Sequence, residues 1–216
     1  MSPLELLSKL YNEEKTEDTV FIIGGGPSVS SILSDPSVLD SHDVIVTNNA
    51  YKLFPDAMLL HFADKVWWNW HQKPQHDVKN NFNGYISSAT MHQRHHLDNN
   101  ETRVVCFKNG NKKGGLTADK TKVDGCNTGH QAINIASHLD YKQIVLIGFD
   151  LNVDSKKTHW HSQHERQTNT DNFTRRMIPG FDRIADDSQK YDFEIFNLNH
   201  ESAIKAFPFA NLSDFI

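Results

Sequence analysis

The sequence predicts an α/β chain: one three-layer domain, residues 1–216, with a mostly parallel central sheet and helices on both faces. Three observations lead there. Strand-length runs that are apolar on both faces recur, VFII at 20–23, VIV at 44–46 and IVLI at 144–147. Helical apolar spacings lie between such runs, which is how a parallel sheet buried on both faces is connected. The 216 residues are enough for one substantial core, and no linker, repeat or low-complexity tract divides them.

The elements follow in order. Leu4, Leu6, Leu7, Leu10 and Tyr11 share one helical face over residues 3–14. Residues 19–23 form a buried strand, and a helix begins near Pro27 with Ser28 or Ser30 as its cap. Strands follow at 43–47 and 57–62, then a helix opens at 66–70. Two more strands are expected at 84–88 and 102–107. The glycine- and lysine-rich stretch 108–125 reads as a long loop or hairpin excursion. A helix at 127–139 carries Ala132, Ile133, Ile135, Ala136 and Leu139, and a buried strand follows at 143–148. Residues 151–171 are polar and histidine-rich, a mobile lid loop in this reading. A helix at 172–188, a strand at 193–197 and an apolar tail that docks on the body complete the chain.

Composition excludes several classes. Net charge is −5, so no global basic field draws the chain to nucleic acid or an anionic membrane. No apolar run approaches the ~20 residues of a bilayer span. The opening MSPLELLSKLYNEEK lacks the apolar core of a signal peptide. Cys106 and Cys126 make no disulfide framework and read as reduced thiols, so a cytoplasmic location is expected. Histidine is the outlier at thirteen residues, grouped as His92, His95, His96 and as His159, His161, His164.

The candidate site comes from the strand ends. VFIIGGGPSV places Gly24, Gly25, Gly26, Pro27 and Ser28 between a strand and a helix. Glycines allow backbone N–H groups to approach an anion, and a helix start adds partial positive charge. The spacing is neither a P-loop nor the dinucleotide fingerprint. Alone it is a phosphate loop or a tight turn. Asn48 and Asn49, then Asp64, then Gly148 and Asp150 follow other strands. Each is a common cap or Asx turn, but together they suit a ligand shared across the strand ends. Asn127, Thr128 and Gly129 open a helix as cap residues or as an anion contact. THWHSQH has no fourth metal ligand, so a histidine base or a solvated lid fits as well as zinc. Trp67, Trp68 and Trp70 either stack a ligand ring or pack a helix on the sheet.

VFIIGGGPSV, VIVTNNAY, NTGHQAINIASHLDYKQIVLIGFDL and the histidine segment resemble two related groups. One is the family that includes archaeal 6-hydroxymethylpterin diphosphokinases, with phage-encoded members that share THWH and the late Phe207-Pro208. The other is the bacterial sialyltransferases with a GPS loop. The resemblance runs from about residue 19 to 209. It implies a Rossmann-like nucleotide-binding domain and a glycosyltransferase-like enzyme with a nucleotide-sugar donor. Gly26, Pro27 and Ser28 would line the phosphate, and Asn49 would reach the nucleotide or sugar. Asn127, Thr128 and Gly129 would meet ribose or base, with Asp150 close by and His161 or His164 as general base. The chain departs from the sialyltransferases in having GGGPS for NGPS and in lacking their tyrosine pair. The alternatives are a Mg-ATP-dependent diphosphokinase, with Asp64 and Asp150 as candidate Mg²⁺ ligands, and a non-catalytic phage nucleotide-binding protein in the host cytoplasm. No cofactor is implied outside the diphosphokinase alternative. The partners are a nucleotide or nucleotide sugar and an unspecified acceptor, with a homo-oligomer left open.

Overall fold

The computed structural model describes residues 1–89, 104–152, 159–160 and 171–216. Most of the stretch expected to be a lid, with His161 and His164, lies outside the described residues, as do His92, His95 and His96.

Seven parallel strands form the sheet: β1 Thr19–Ile23, β2 Asp43–Thr47, β3 Leu59–Phe62, β4 Tyr85–Ser88, β5 Val104–Cys106, β8 Gln143–Ile147 and β9 Glu194–Asn197. Their order is β5-β4-β3-β2-β1-β8-β9. The two-residue strands β6 Lys108–Asn109 and β7 Lys122–Val123 pair separately, in parallel. The excursion over 108–125 is therefore not a hairpin: a loop carries the chain back to the start of β7, so the two short strands run the same way.

Side chains alternate across the sheet and divide the core in two. Val20, Ile22, Ile45, Leu59, Ile144 and Leu146 face α1 (Pro3–Lys9), α5 (Thr128–His138) and α6 (Ile178–Ser188). Phe21, Ile23, Val44, Val46, Leu60 and Ile147 face α2 (Val29–Ile32), α3 (Lys65–His71), α4 (Val78–Asn81) and the C-terminal tail. Sheet and two helical faces make the expected three-layer, Rossmann-like α/β fold. Burial of each large aliphatic side chain contributes about 1.5–3 kcal/mol, so VFII and IVLI fix the centre of the sheet.

Two expected helices begin or end in wider turns. Residues 10–14 and 173–177 are π-turns joined to α1 and α6. The tail docks through Phe215, whose ring meets Phe21 at 6.4 Å and Phe196 at 5.2 Å. Among the described residues no helix is long and apolar enough to cross a membrane.

Candidate functional site

Adjacent strands β1 and β8 send their connections in opposite directions along the sheet. A crevice opens beyond the carboxyl ends of strands at such a reversal. The loop after β1 and the segment after β8 meet there. Gly24 N–H donates to Ile147 O (2.7 Å) and Gly26 N–H to Gly148 O (2.8 Å). Ser28 donates its N–H to Asp150 Oδ1 (3.1 Å) and its hydroxyl to Asp150 Oδ2 (2.7 Å). Asn199 Nδ2 donates to the same carboxylate at 3.0 Å. A Cβ on Gly26 would run into Asp150 Oδ2, so the close approach requires glycine.

Asp150 thus anchors the glycine loop. Burial pushes its carboxyl above the ordinary range, while the two Ser28 hydrogen bonds pull it down. Ser28, with its hydroxyl committed, gives α2 no side-chain cap. Of the loop's N–H groups, that of Gly25 meets no acceptor among the described residues. Gly25 O instead accepts from Trp160 N (3.1 Å), and the His159 ring lies against the glycine, 3.3 Å from where a Cβ would stand. His159 and Trp160 therefore stand at the strand ends.

The second wall is built from β2 and α5. Asn48 adopts φ 49°, a left-handed conformation that asparagine tolerates better than most residues. Its Nδ2 donates to Thr128 Oγ1 at 3.4 Å. Its Oδ1 is buried with no hydrogen-bond partner among the described residues. Asn49 is buried, and its Oδ1 accepts from Trp67 Nε1 at 2.6 Å. Asn127 caps α5 by accepting from His130 N–H (2.9 Å). A Cβ on Gly129 would stand 2.6 Å from Phe149 Cε1, so glycine lets the first turn of α5 approach the end of β8. That turn brings partial positive charge to the same edge of the sheet.

Asp64 stands apart from this group. It is exposed and caps α3 through Val66 N–H (2.7 Å). Strands β3 and β8 are three positions apart in the sheet, roughly 14 Å at the usual strand spacing. Asp64 and Asp150 therefore cannot ligate one Mg²⁺, whose oxygens lie about 2.1 Å away. Among the described residues no group of three or more His, Cys, Asp or Glu could hold a metal ion. The tryptophans are mainly packing residues. Trp68 is buried and stacks on Phe62 at 4.7 Å, and Trp67 stacks on His71 at 4.2 Å.

Beneath the site lies a polar row that the sequence reading missed. Thr47, His61 and Ser87 are in register across β2, β3 and β4. Ser87 hydroxyl meets His61 Nδ1 at 2.8 Å, and His61 Nε2 meets Gln131 Oε1 of α5 at 3.0 Å. Burial lowers the His61 pKa to about 4, with the Gln131 hydrogen bond opposing. The ring is therefore neutral, with Nε2–H donating to Gln131. His130 is also buried and lowered to about 4 by burial, opposed by its hydrogen bond to Met177 O. Nε2–H donates to that carbonyl (3.0 Å), leaving Nδ1 to accept from Cys126 N–H (3.4 Å). These rings hold α5 in place and do not exchange protons near neutral pH. A polar residue inside an apolar strand, as in LLHF, was the available signal. His159 was also missed, being one of three histidines that spacing alone could not separate.

No family model matches the chain, and neither does any curated protein. Among solved structures the chain is similar to the monofunctional alpha-2,3-sialyltransferase Cst-I from Campylobacter jejuni. The similarity covers 92% of this chain and 83% of that one, with 16% sequence identity and a TM-score of 0.59. At that identity the likeness is one of fold. It bears on the sialyltransferase side of the resemblance and not on the archaeal or phage-encoded groups.

Proposed function

We propose that the chain is a nucleotide-binding transferase of glycosyltransferase-like type, with a nucleotide-sugar donor bound at the carboxyl ends of β1, β2 and β8. One observation carries this reading. At the point where the sheet reverses its connections, Asp150 anchors the glycine loop, and Asn48, whose buried Oδ1 meets no partner among the described residues, touches the first turn of α5 through Thr128. The Gly25 N–H and the helix end suit a phosphate, while Asn48 offers an acceptor to a base or ribose donor. The fold shared with a sialyltransferase supports the same class.

In this reading a histidine of the segment after Asp150 accepts the acceptor hydroxyl's proton. The hydroxyl oxygen forms a bond to the anomeric carbon. The bond from that carbon to the phosphate oxygen breaks, and its electron pair leaves with the nucleotide. Gly25 N–H and the α5 turn stabilise the phosphate charge, so positioning and fixed dipoles supply most of the catalysis. His159, against Gly25, joins His161 and His164 as a candidate base.

The test is calorimetric titration and thermal shift with CMP, CDP, UDP, GDP, ADP and ATP, each with Mg²⁺ and with EDTA. A ligand at a hundred times its Kd adds about 2.7 kcal/mol of stability. A metal-independent shift with a pyrimidine nucleotide is expected. Asn48→Gly, which keeps the left-handed backbone, should lose it. A shift only with Mg-ATP would favour the diphosphokinase, and no shift with any nucleotide removes the proposal. Binding that survives replacement of all three histidines, with no transfer in the native chain, would leave a sequestering protein.

A further inference from the structure

A basic cluster flanks the start of α5, where three segments meet. The loop around Lys113 lies on the first turn of α6. Arg183 Nη1 donates to Lys113 O (2.6 Å) and to Pro179 O (2.9 Å), and a Cβ on Gly114 would stand 2.6 Å from Gly180 Cα. The turn at 173–177 is tied to α5 by the His130 bond to Met177 O (3.0 Å) and anchored by buried Phe173. Lys112, Lys113, Arg175, Arg176 and Arg183 on these segments are all exposed, in a chain of net charge −5. None of the five forms an ion pair among the described residues. The nearby Asp187 is held by Lys190 (2.7 Å) and Leu116 N–H (3.0 Å). Asp182 lies beside Arg183 in sequence and makes no ion pair with it.

The cluster stands beside the candidate site. Cys126 immediately precedes the Asn127 cap. Burial raises its thiol pKa, and the charges of Arg176 and Arg183 act on that thiol in the opposite direction. Exposed basic side chains on neighbouring segments can hold an oxyanion through charge-assisted hydrogen bonds.

We propose that Arg176, Arg183 and Lys113 form an anion-binding subsite that holds a carboxylate- or phosphate-bearing acceptor. The word acceptor rests on the transferase reading; the anion subsite does not.

Cys126 supplies the reporter. Its alkylation by anionic iodoacetate and neutral iodoacetamide is compared, peptide by peptide, with that of Cys106 in the same protein. The iodoacetate-to-iodoacetamide rate ratio at Cys126 should exceed that at Cys106 by about three- to tenfold at low salt. Arg176→Gln with Arg183→Gln should bring the two ratios together without loss of nucleotide binding. At matched ionic strength, inorganic phosphate or acetate should also lower the Cys126 ratio, and the stronger competitor identifies the acceptor's anion. A phosphate titration followed by amide spectra should shift Lys113 and Arg176, whatever the reactivity of the thiol. Equal ratios at the two cysteines, or no response of those amides to phosphate, would overturn the subsite. Nucleotide binding without an anion response overturns the subsite and leaves the transferase reading standing. An anion response without nucleotide binding removes the transferase reading and leaves the subsite standing.

Discussion

Replacing Asp150 separates an anchoring carboxylate from a ligand-binding one. Its carboxylate accepts from Ser28 N, Ser28 Oγ and Asn199 Nδ2 at 3.1, 2.7 and 3.0 Å. Asp150→Ala leaves three buried donors without an acceptor. Each orphaned donor costs about 1–3 kcal/mol. The hydroxyl can rotate and water can enter the space, so the sum is about 3–5 kcal/mol. Asp150→Asn keeps one oxygen for Ser28 N–H and Asn199, and its amide can donate to Ser28 Oγ. Only charge assistance is lost, about 1 kcal/mol. Urea unfolding at pH 7 reads the difference. With a slope of roughly 2 kcal/mol per molar, the alanine variant should unfold 1 M or more below the asparagine variant. The pH dependence adds a second check. The native carboxyl titrates above its ordinary value because burial opposes its charge. Between the two values the folded chain holds a proton that the unfolded chain has released. Native stability relative to Asp150→Asn should therefore fall as pH rises through that window, then level off. Equal midpoints for the alanine and asparagine variants would refute the anchoring role.

Two other outcomes follow from the same geometry. Gly26→Ala drives a Cβ into Asp150 and should lower the thermal midpoint by several degrees, whereas Gly25→Ala meets only the edge of His159 at 3.3 Å and should fold normally; differential scanning calorimetry of the pair distinguishes them. Burial holds His61 and His130 near pKa 4 against an ordinary 6.5. As pH falls below 6.5 the unfolded chain binds protons that the folded chain refuses, and each ring removes about 1.4 kcal/mol per pH unit until near pH 4. In His61→Gln the acid-side slope of the urea midpoint should flatten by one such increment, and an unchanged slope would mean that His61 is not buried as a neutral ring.

The strands were legible because their burial is written in their composition. VFII, VIV and IVLI are apolar on both faces, and only a covered parallel sheet accepts such runs. The 128–138 helix was legible from its apolar spacing and its Asn127 cap. Short elements were not. The four residues of α4 and the two-residue pairing of β6 with β7 carry too little pattern to announce themselves. The π-turns look like ordinary helix in sequence, although Tyr11, expected on the apolar face, is exposed and only Leu10 and Phe173 are buried in them.

By itself, the sequence determined the layered α/β class, the residues at the strand ends and the start of α5. Those are local properties, set by hydrophobic period, glycine and cap chemistry. Tertiary structure decided what those residues do for one another. It paired Ser28 with Asp150 across 122 positions, turned Asp64 outward as a cap and left the Gly25 N–H without an acceptor among the described residues. It also seated His159 on that glycine and brought the loop at Lys113 onto the first turn of α6. Strand order and crossover geometry bring such distant segments together, and no local pattern encodes the distance between them.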